Sequence, residues 1–478
     1  MLIFAPLLLN LYDFVVALLT QSQALGYFFQ SSRVALLENS LLLSLSASLL
    51  SALVGGALAL LFFALPKGLK ALYALLLFLL FAIEPIIYLG AFQQTALFGV
   101  LTPFGKTLLT ITPSMMALCG LLFIFGLSFV NQESLRVASM MASKRDVFRF
   151  IVKPQLLFML LGAFLMVFVL LFSHSEVSSI LGYRTYSEEF LAQITLVESL
   201  DKTAILSLPF YLLALSFLLV LWAILRRYPM KFKIKEQIAP RSFVALDKRV
   251  VLALFGLVVA LFLTLLILLL SKIAFDELAL LISENSSVLL DSLLLALVVS
   301  GLTVALSLFV YRSIEQFSVL TLLLFLTLLT PSELIGLEVI KIKQFFDLNS
   351  ELMEYLFFIF SSGIKLLPLG VGLVAILYHR EVNDESLLFL PISKIDTFFK
   401  IILPTYGLRW MFMVMVIAIF ALNQLSISVL LIPIGFDVMI IKIYNLLHYG
   451  DYSAVTFLSL MQIVLMLVIA GVLQRIRR

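Results

Sequence analysis

The sequence predicts an all-α polytopic membrane protein with about 12 transmembrane helices, arranged as two parallel six-helix repeats. Three observations carry that expectation: a composition too apolar for a water-soluble fold, a series of apolar runs long enough to span a bilayer, and a segment that occurs twice at one offset. Of the 478 residues, 63% are hydrophobic and 13% charged, where soluble domains hold about 45–50% apolar and about 25% charged residues. The same figures exclude disorder, collagen-like repeats and nucleic acid as a partner. A single cysteine, Cys119, excludes an internal disulfide, and three histidines beside it give no basis for a zinc or haem cluster.

A bilayer-spanning helix needs about 20 mostly apolar residues. Runs of that kind fall near 2–20, 40–65, 71–92, 111–130, 154–173 and 204–225, and resume near 250–271, 291–311, 318–340, 356–378, 405–423 and 454–473. The first run reads as a true span and not as a cleaved leader, because no basic residue precedes it and no small-residue cleavage site follows. With an even number of spans both termini share one side. If that side is the cytoplasm, 23 of the 32 Lys and Arg fall on cytoplasmic segments, eight on external ones, and Lys365 lies within a span. Basic residues collect on the cytoplasmic side of membrane proteins, so both ends are expected there.

The internal repeat fixes the order of the parts. Ser143-Lys-Arg-Asp-Val-Phe-Arg-Phe-Ile-Val-Lys-Pro154 recurs as Ser393-Lys-Ile-Asp-Thr-Phe-Phe-Lys-Ile-Ile-Leu-Pro404, with six of twelve positions identical. Asn39-Ser-Leu-Leu-Leu43 similarly matches Asp291-Ser-Leu-Leu-Leu295, and Pro85…Gly90 matches Pro331…Gly336. Matching segments lie on the same membrane side, which makes the halves parallel repeats related by an axis along the membrane normal. The expected organisation is a first half at 1–225, a basic cytoplasmic linker at 226–249, and a second half at 250–478. The linker reads as a solvated tether with eight basic and two acidic residues.

The repeated segment lies between the fourth and fifth spans of each half, on the cytoplasmic side. Ser143 with Asp146, and Ser393 with Asp396, have the spacing of a helix start: the hydroxyl accepts from a free N–H, and the acid favours the positive helix end. Val147, Phe148 and Ile151 then share one face, as do Phe398 and Ile401. Pro154 and Pro404 open the following span, where a missing N–H costs nothing. Each half thus offers a short amphipathic helix to the cytoplasm. The pattern alone fits equally a helix lying on the lipid and a docking element for a twofold cytoplasmic partner.

These loops resemble the "EAA" loop of binding-protein-dependent ABC importer permeases, whose pattern is E-A-A, three residues, Gly, nine residues, I-x-L-P. Glu385-Ser386-Leu387, Ile401, Leu403 and Pro404 fall at that spacing, with Pro391 in place of the Gly. In the first half Ile151 and Pro154 match, and Ala142-Ser143 corresponds to the Ala-Ser that often follows the Gly. There Leu135, Met141 and Lys153 replace the Glu, Gly and Leu. Two fused permease halves are similar to the ferric-iron class of importer permeases, and to thiamine permeases. The stretch Gln424 to Asp437, with Ile443-Tyr444 and Tyr452, resembles the end of an iron-type second half, with Glu176 to Tyr183 as its counterpart in the first; the family often has Glu where Gln424 stands.

The resemblance implies a type I ABC importer permease whose two loops each dock one copy of a cytoplasmic ABC ATPase. It further implies a periplasmic solute-binding protein, a bacterial inner membrane, and ferric iron as the first candidate solute, with thiamine or another small solute as the alternative. ATP and Mg would belong to the ATPase, and the chain would hold no cofactor of its own. The residues agree that no nucleotide site is encoded. Gly99 to Thr107 imitates a phosphate loop but sets five residues between its glycines where four are needed. No catalytic arrangement stands out, so the chain is not expected to be an enzyme. A secondary transporter with parallel repeats is the alternative of another class, and it gives no use for twin docking helices.

Charges within spans are costly, about 2.5–3.5 kcal/mol each at the bilayer centre. Glu84 beside Pro85, and Glu333 beside Pro331, occupy matching regions of the halves. One reading lines a translocation path with them; the other leaves them near the outer interface or hydrogen-bonded to a neighbouring helix. The paired prolines signal paired kinks. Lys365 either pairs with one of these acids or snorkels towards water.

Overall fold

The structure, a computed structural model, describes residues 4–20, 30–93, 95–128, 143, 146, 149, 153–196, 205–227, 248–273, 276, 278–314, 318–347, 350–378 and 403–476. The described residues form helices and no strand. The first half of the sequence contributes α1 (Ala5–Thr20), α2 (Ser31–Ala64), α3 (Lys67–Ala82), α4 (Pro85–Phe92), α5 (Ala96–Val100), α6 (Pro103–Ser128), α7 (Lys153–Phe172), α8 (Glu176–Ile180), α9 (Tyr186–Leu196) and α10 (Leu208–Arg227). The second contributes α11 (Lys248–Leu270), α12 (Leu278–Ile314), α13 (Ser318–Leu329), α14 (Ser332–Phe345), α15 (Glu351–Tyr378), α16 (Leu403–Ala421), α17 (Leu425–Leu431), α18 (Met439–Tyr449) and α19 (Tyr452–Ile476).

This is an all-α, multi-pass membrane protein. Among the described residues six helices are long and apolar enough to cross a bilayer, or up to nine if each bent pair counts as one span. That count, made of the described residues, is smaller than the expected twelve. The runs at 71–92 and 318–340 are each broken, so that α3 and α4 diverge by 85° and α13 and α14 by 108°. The apolar stretches Met159–Phe172 and Leu208–Val220 belong to α7 and α10, each 20 residues long, and α1 has 16.

Large apolar side chains such as Tyr73, Phe172 and Phe457 fill much of the interior, but stretches of two long helices turn small residues inward instead. On α2, Leu42, Leu45, Leu49 and Leu53 face outward, while Ser44, Ala47, Ser48, Ser51 and Gly55 are buried. On α12 the exposed Leu290, Leu294 and Val298 contrast with buried Ser292, Ala296, Ser300, Thr303 and Ser307. In lipid the leucines gain nothing by turning inward, so close backbone approach through small residues holds helices together. Several of the buried hydroxyls donate back to the preceding turn, Ser44 Oγ to Ser40 O at 2.6 Å and Thr303 Oγ1 to Val299 O at 2.7 Å.

The helices group into two compact units. One comprises Ala17–Ile273 with Val455–Ser459, the other Met1–Val16, Ala274–Ala454 and Leu460–Arg478. Within the first, α2 packs on α6, α7 and α9, and α3 packs on α6. Within the second, α12 packs on α15, α16 and α18, and α13 packs on α15. Each unit also contains the first helix, or most of it, of the opposite sequence half: α11 in the first unit and the start of α1 in the second.

One hydrogen bond recurs in both units. The backbone N–H of Tyr186, first residue of α9, donates to Ser40 Oγ at 2.8 Å, and that of Met439, first residue of α18, donates to Ser292 Oγ at 2.7 Å. Val438, at the N-cap of α18, supplies no side-chain bond, so a serine from the long helix satisfies the helix start instead. A buried donor left without a partner costs about 1–3 kcal/mol. Ser40→Ala and Ser292→Ala are therefore each expected to destabilise the protein by about that amount, to a similar degree. Thermal unfolding of the detergent-solubilised variants measures it; loss at one site alone would show that the two bonds are not equivalent.

Candidate functional site

The breaks at Pro85 and Pro331, in two of the three bent helices, organise polar groups buried in the spans. Pro85 is the first residue of α4 and Pro331 the N-cap of α14. A proline cannot donate to the preceding turn and its ring collides with the carbonyl four residues back, so each helix ends before it and a new one starts. Glu84 and Pro331 are extended at the joints, with ψ of 142° and 145°. Kinks were expected here; the structure sharpens them into breaks that free the last carbonyls of α3 and α13.

Those carbonyls find different partners in the two units. Tyr88 donates its hydroxyl to Leu80 O at 2.8 Å, reaching back across the first break. Lys365 of α15 donates to Leu328 O at 3.2 Å and Thr330 O at 2.6 Å. A cation suits the negative end of a helix, and Glu333 lies near enough to Lys365 to interact with its charge. Glu333 is only 2% exposed. The sequence left Lys365 to pair with an acid or to snorkel; in the structure its hydrogen bonds go to backbone carbonyls, which the sequence did not suggest.

Glu84 is partly buried at the N-cap of α4, and Glu176, the first residue of α8, lies near enough for the two charges to interact. Glu176 Oε2 lies 3.6 Å from His174 Nε2. The corresponding position at the α16–α17 break, where the helices bend by 70°, holds Gln424. Its Nε2 donates to Ser362 O at 3.2 Å. Among the described residues no three His, Cys, Asp or Glu side chains converge as a metal cage would require.

The loop residues are described only in part. Ser143 is exposed; its Oγ donates to Asp146 Oδ2 at 2.6 Å and accepts from Asp146 N at 3.2 Å, with Asp146 in helical conformation. This is the side-chain cap that the spacing predicts. Pro154 and Pro404 are each the second residue of the helix they open, α7 and α16, and Leu403 is the first of α16. Ala142, Phe148, Ile151, Glu385, Ser386, Ser393, Asp396, Phe398 and Ile401 lie outside the described residues.

Two further features were invisible in the sequence. Lys272, just beyond α11, donates to Gly90 O at 3.1 Å and Ala91 O at 2.7 Å, and burial holds its ammonium below lysine's ordinary pKa. Lys341 on α14 bridges Asp13 Oδ2 and Glu338 Oε1, both at 2.7 Å. In the sequence these lysines only add to the count outside the membrane. A cavity of about 30 Å³ also opens between α2 and α9, lined by Leu36, Arg184, Thr185, Glu188, Glu189 and Ala192. Burial raises the Glu188 carboxyl above its ordinary value there.

No protein-family model, curated protein or solved structure matches the chain.

Proposed function

We propose that the chain is the transmembrane permease subunit of an ATP-binding-cassette importer of the bacterial inner membrane, with ferric iron as its first candidate solute. The observation that carries this reading is the twelve-residue segment written twice, between the fourth and fifth expected spans of each half. Its first copy carries the Ser143–Asp146 cap on exposed residues. The recurring serine bonds at Tyr186 and Met439, and the like packing of α2 and α12, support a duplicated six-helix unit. In this reading each loop docks one ATPase copy, ATP and Mg stay on those partners, and both termini are cytoplasmic. A periplasmic binding protein delivers the solute. Closure of the ATPases draws the loops together and alternately opens the path to either side.

The test is uptake in a deletion strain, with labelled ferric iron and labelled thiamine measured side by side. The intact gene should restore uptake. A version with Asp396→Ala and Phe398→Ala should lose it at least tenfold at equal membrane abundance, a loss equivalent to about 1.4 kcal/mol or more of docking energy. Restored thiamine uptake alone would keep the mechanism and change the solute. Full uptake by the loop variant, or no co-purifying ATPase stimulated by a binding protein, would overturn the reading and favour a secondary transporter.

A further inference from the structure

The joints at Ile83–Glu84 and Thr330–Pro331 leave the angle between the two arms of each bent helix to whatever spans both arms. In the unit of Ala17–Ile273, α6 packs on both arms, and in the other unit α15 does. In each unit a second helix, the first of a sequence half, fastens the same two arms by side-chain contacts. Within the unit of Ala17–Ile273, α11 buries Val251 and Val258 in a cluster with Tyr73 and Leu77 of α3, and Phe255 lies 6.1 Å from the Tyr73 ring. Some 20 residues on, about 30 Å along a helix, Lys272 grips the last carbonyls of α4. Within the other unit, Phe4 and Leu7 at the start of α1 cluster with Leu323 and Leu324 of α13. Further along α1, Asp13 meets Lys341 of α14. Two helices from different parts of the chain thus make the same kind of connection: apolar on the arm before the break, ionic or charge-assisted on the arm after it.

We propose that the first helix of each sequence half is a strap that sets the angle of a broken helix, with Lys272 and the Asp13–Lys341 pair as positioning groups for the arms that begin at Glu84 and Glu333. Its use in transport rests on the permease reading. A short helix held at its far end cannot swing, so the acid at its near end is held as well; α4 has only eight residues, about 12 Å of rigid rod. The fastenings are separable from folding. Without Asp13, Lys341 keeps Glu338 as a partner at 2.7 Å, so no buried charge is stranded.

The experiment is amide hydrogen exchange on the full chain in lipid nanodiscs. Asp13→Asn should speed exchange in α14 about tenfold while α13 stays as in the parent, and Lys272→Met should do the same for α4 relative to α3, each bond to a charged group accounting for an effect of that size. Lys272→Arg and Asp13→Glu should restore slow exchange. Unchanged exchange in both variants, or equal acceleration throughout, overturns the strap. Uptake of labelled ferric iron and thiamine is read in parallel, and should fall in Asp13→Asn and Lys272→Met at constant membrane abundance. Faster exchange in the arms with no effect on either solute overturns the use in transport while leaving the strap itself standing.

Discussion

Replacing Lys365 by methionine is expected to remove most of the folded protein, at a cost of about 2–6 kcal/mol, because each of two buried carbonyls left without a donor costs about 1–3 kcal/mol. Two carbonyls lose their donor at once. The carbonyls of Leu328 and Thr330, released by the break before Pro331, would face apolar surroundings. Glu333, 2% exposed, would lose the cation near it. Adding Glu333→Gln to Lys365→Met should recover only a small part of the loss, because it removes the charge that interacted with the lysine while the carbonyls still lack a donor. Tyr88→Phe, at the other break, deletes one neutral bond to Leu80 O and should cost only about 1 kcal/mol. Unfolding of the three variants in mild detergent, followed by size exclusion after heating, orders them. A Lys365→Met protein as stable as its parent would show that water or another side chain serves those carbonyls.

The contrast between the two breaks also shows what a sequence can disclose. Helical periodicity, apolar run length and the Ser143–Asp146 spacing are local properties, and the local structure follows them: helices where the runs lie, and a cap where the spacing asks for one. The prolines at 85 and 331 announce a disturbance for the same reason, since the missing N–H belongs to the residue itself. The size of the bends, 85° and 108°, depends on what packs across each joint, and no local pattern encodes that. Lys365 was conspicuous as a charge within a span, yet its partners lie 37 and 35 residues away. Lys272 was inconspicuous, because a lysine past the end of an apolar run looks like any other, and its partner carbonyls are more than 180 residues distant. The repeat likewise marks where each half starts without saying which unit its first helix joins. Residues in the second loop carry the sequence resemblance and lie outside the described structure, so their reading rests on uptake.

Gly55→Ala is expected to be nearly as damaging, about 3 kcal/mol, at the upper end of ordinary overpacking. A Cβ at this position would lie 2.5 Å from Cys119 Cβ, 2.7 Å from Met116 O and 2.8 Å from Gly120 N. Two of these atoms are backbone and cannot rotate aside, so α2 and α6 would have to separate along their contact. In lipid no hydrophobic gain draws the helices together again, since the bilayer solvates the parted faces as well as the protein did. Glycine is itself a poor helix former, about 1 kcal/mol worse than alanine inside a helix; relief of that cost works against the clash and is outweighed by it. Gly370→Ala is the control. The nearest obstacle there is Ser307 Oγ, the end of a side chain that can turn away, so that variant should lose less than about 1 kcal/mol once the serine adopts another staggered rotamer. Thermal unfolding of both single variants decides the matter: equal losses, or a harmless Gly55→Ala, would mean that α2 and α6 are not held at the backbone contact the structure describes.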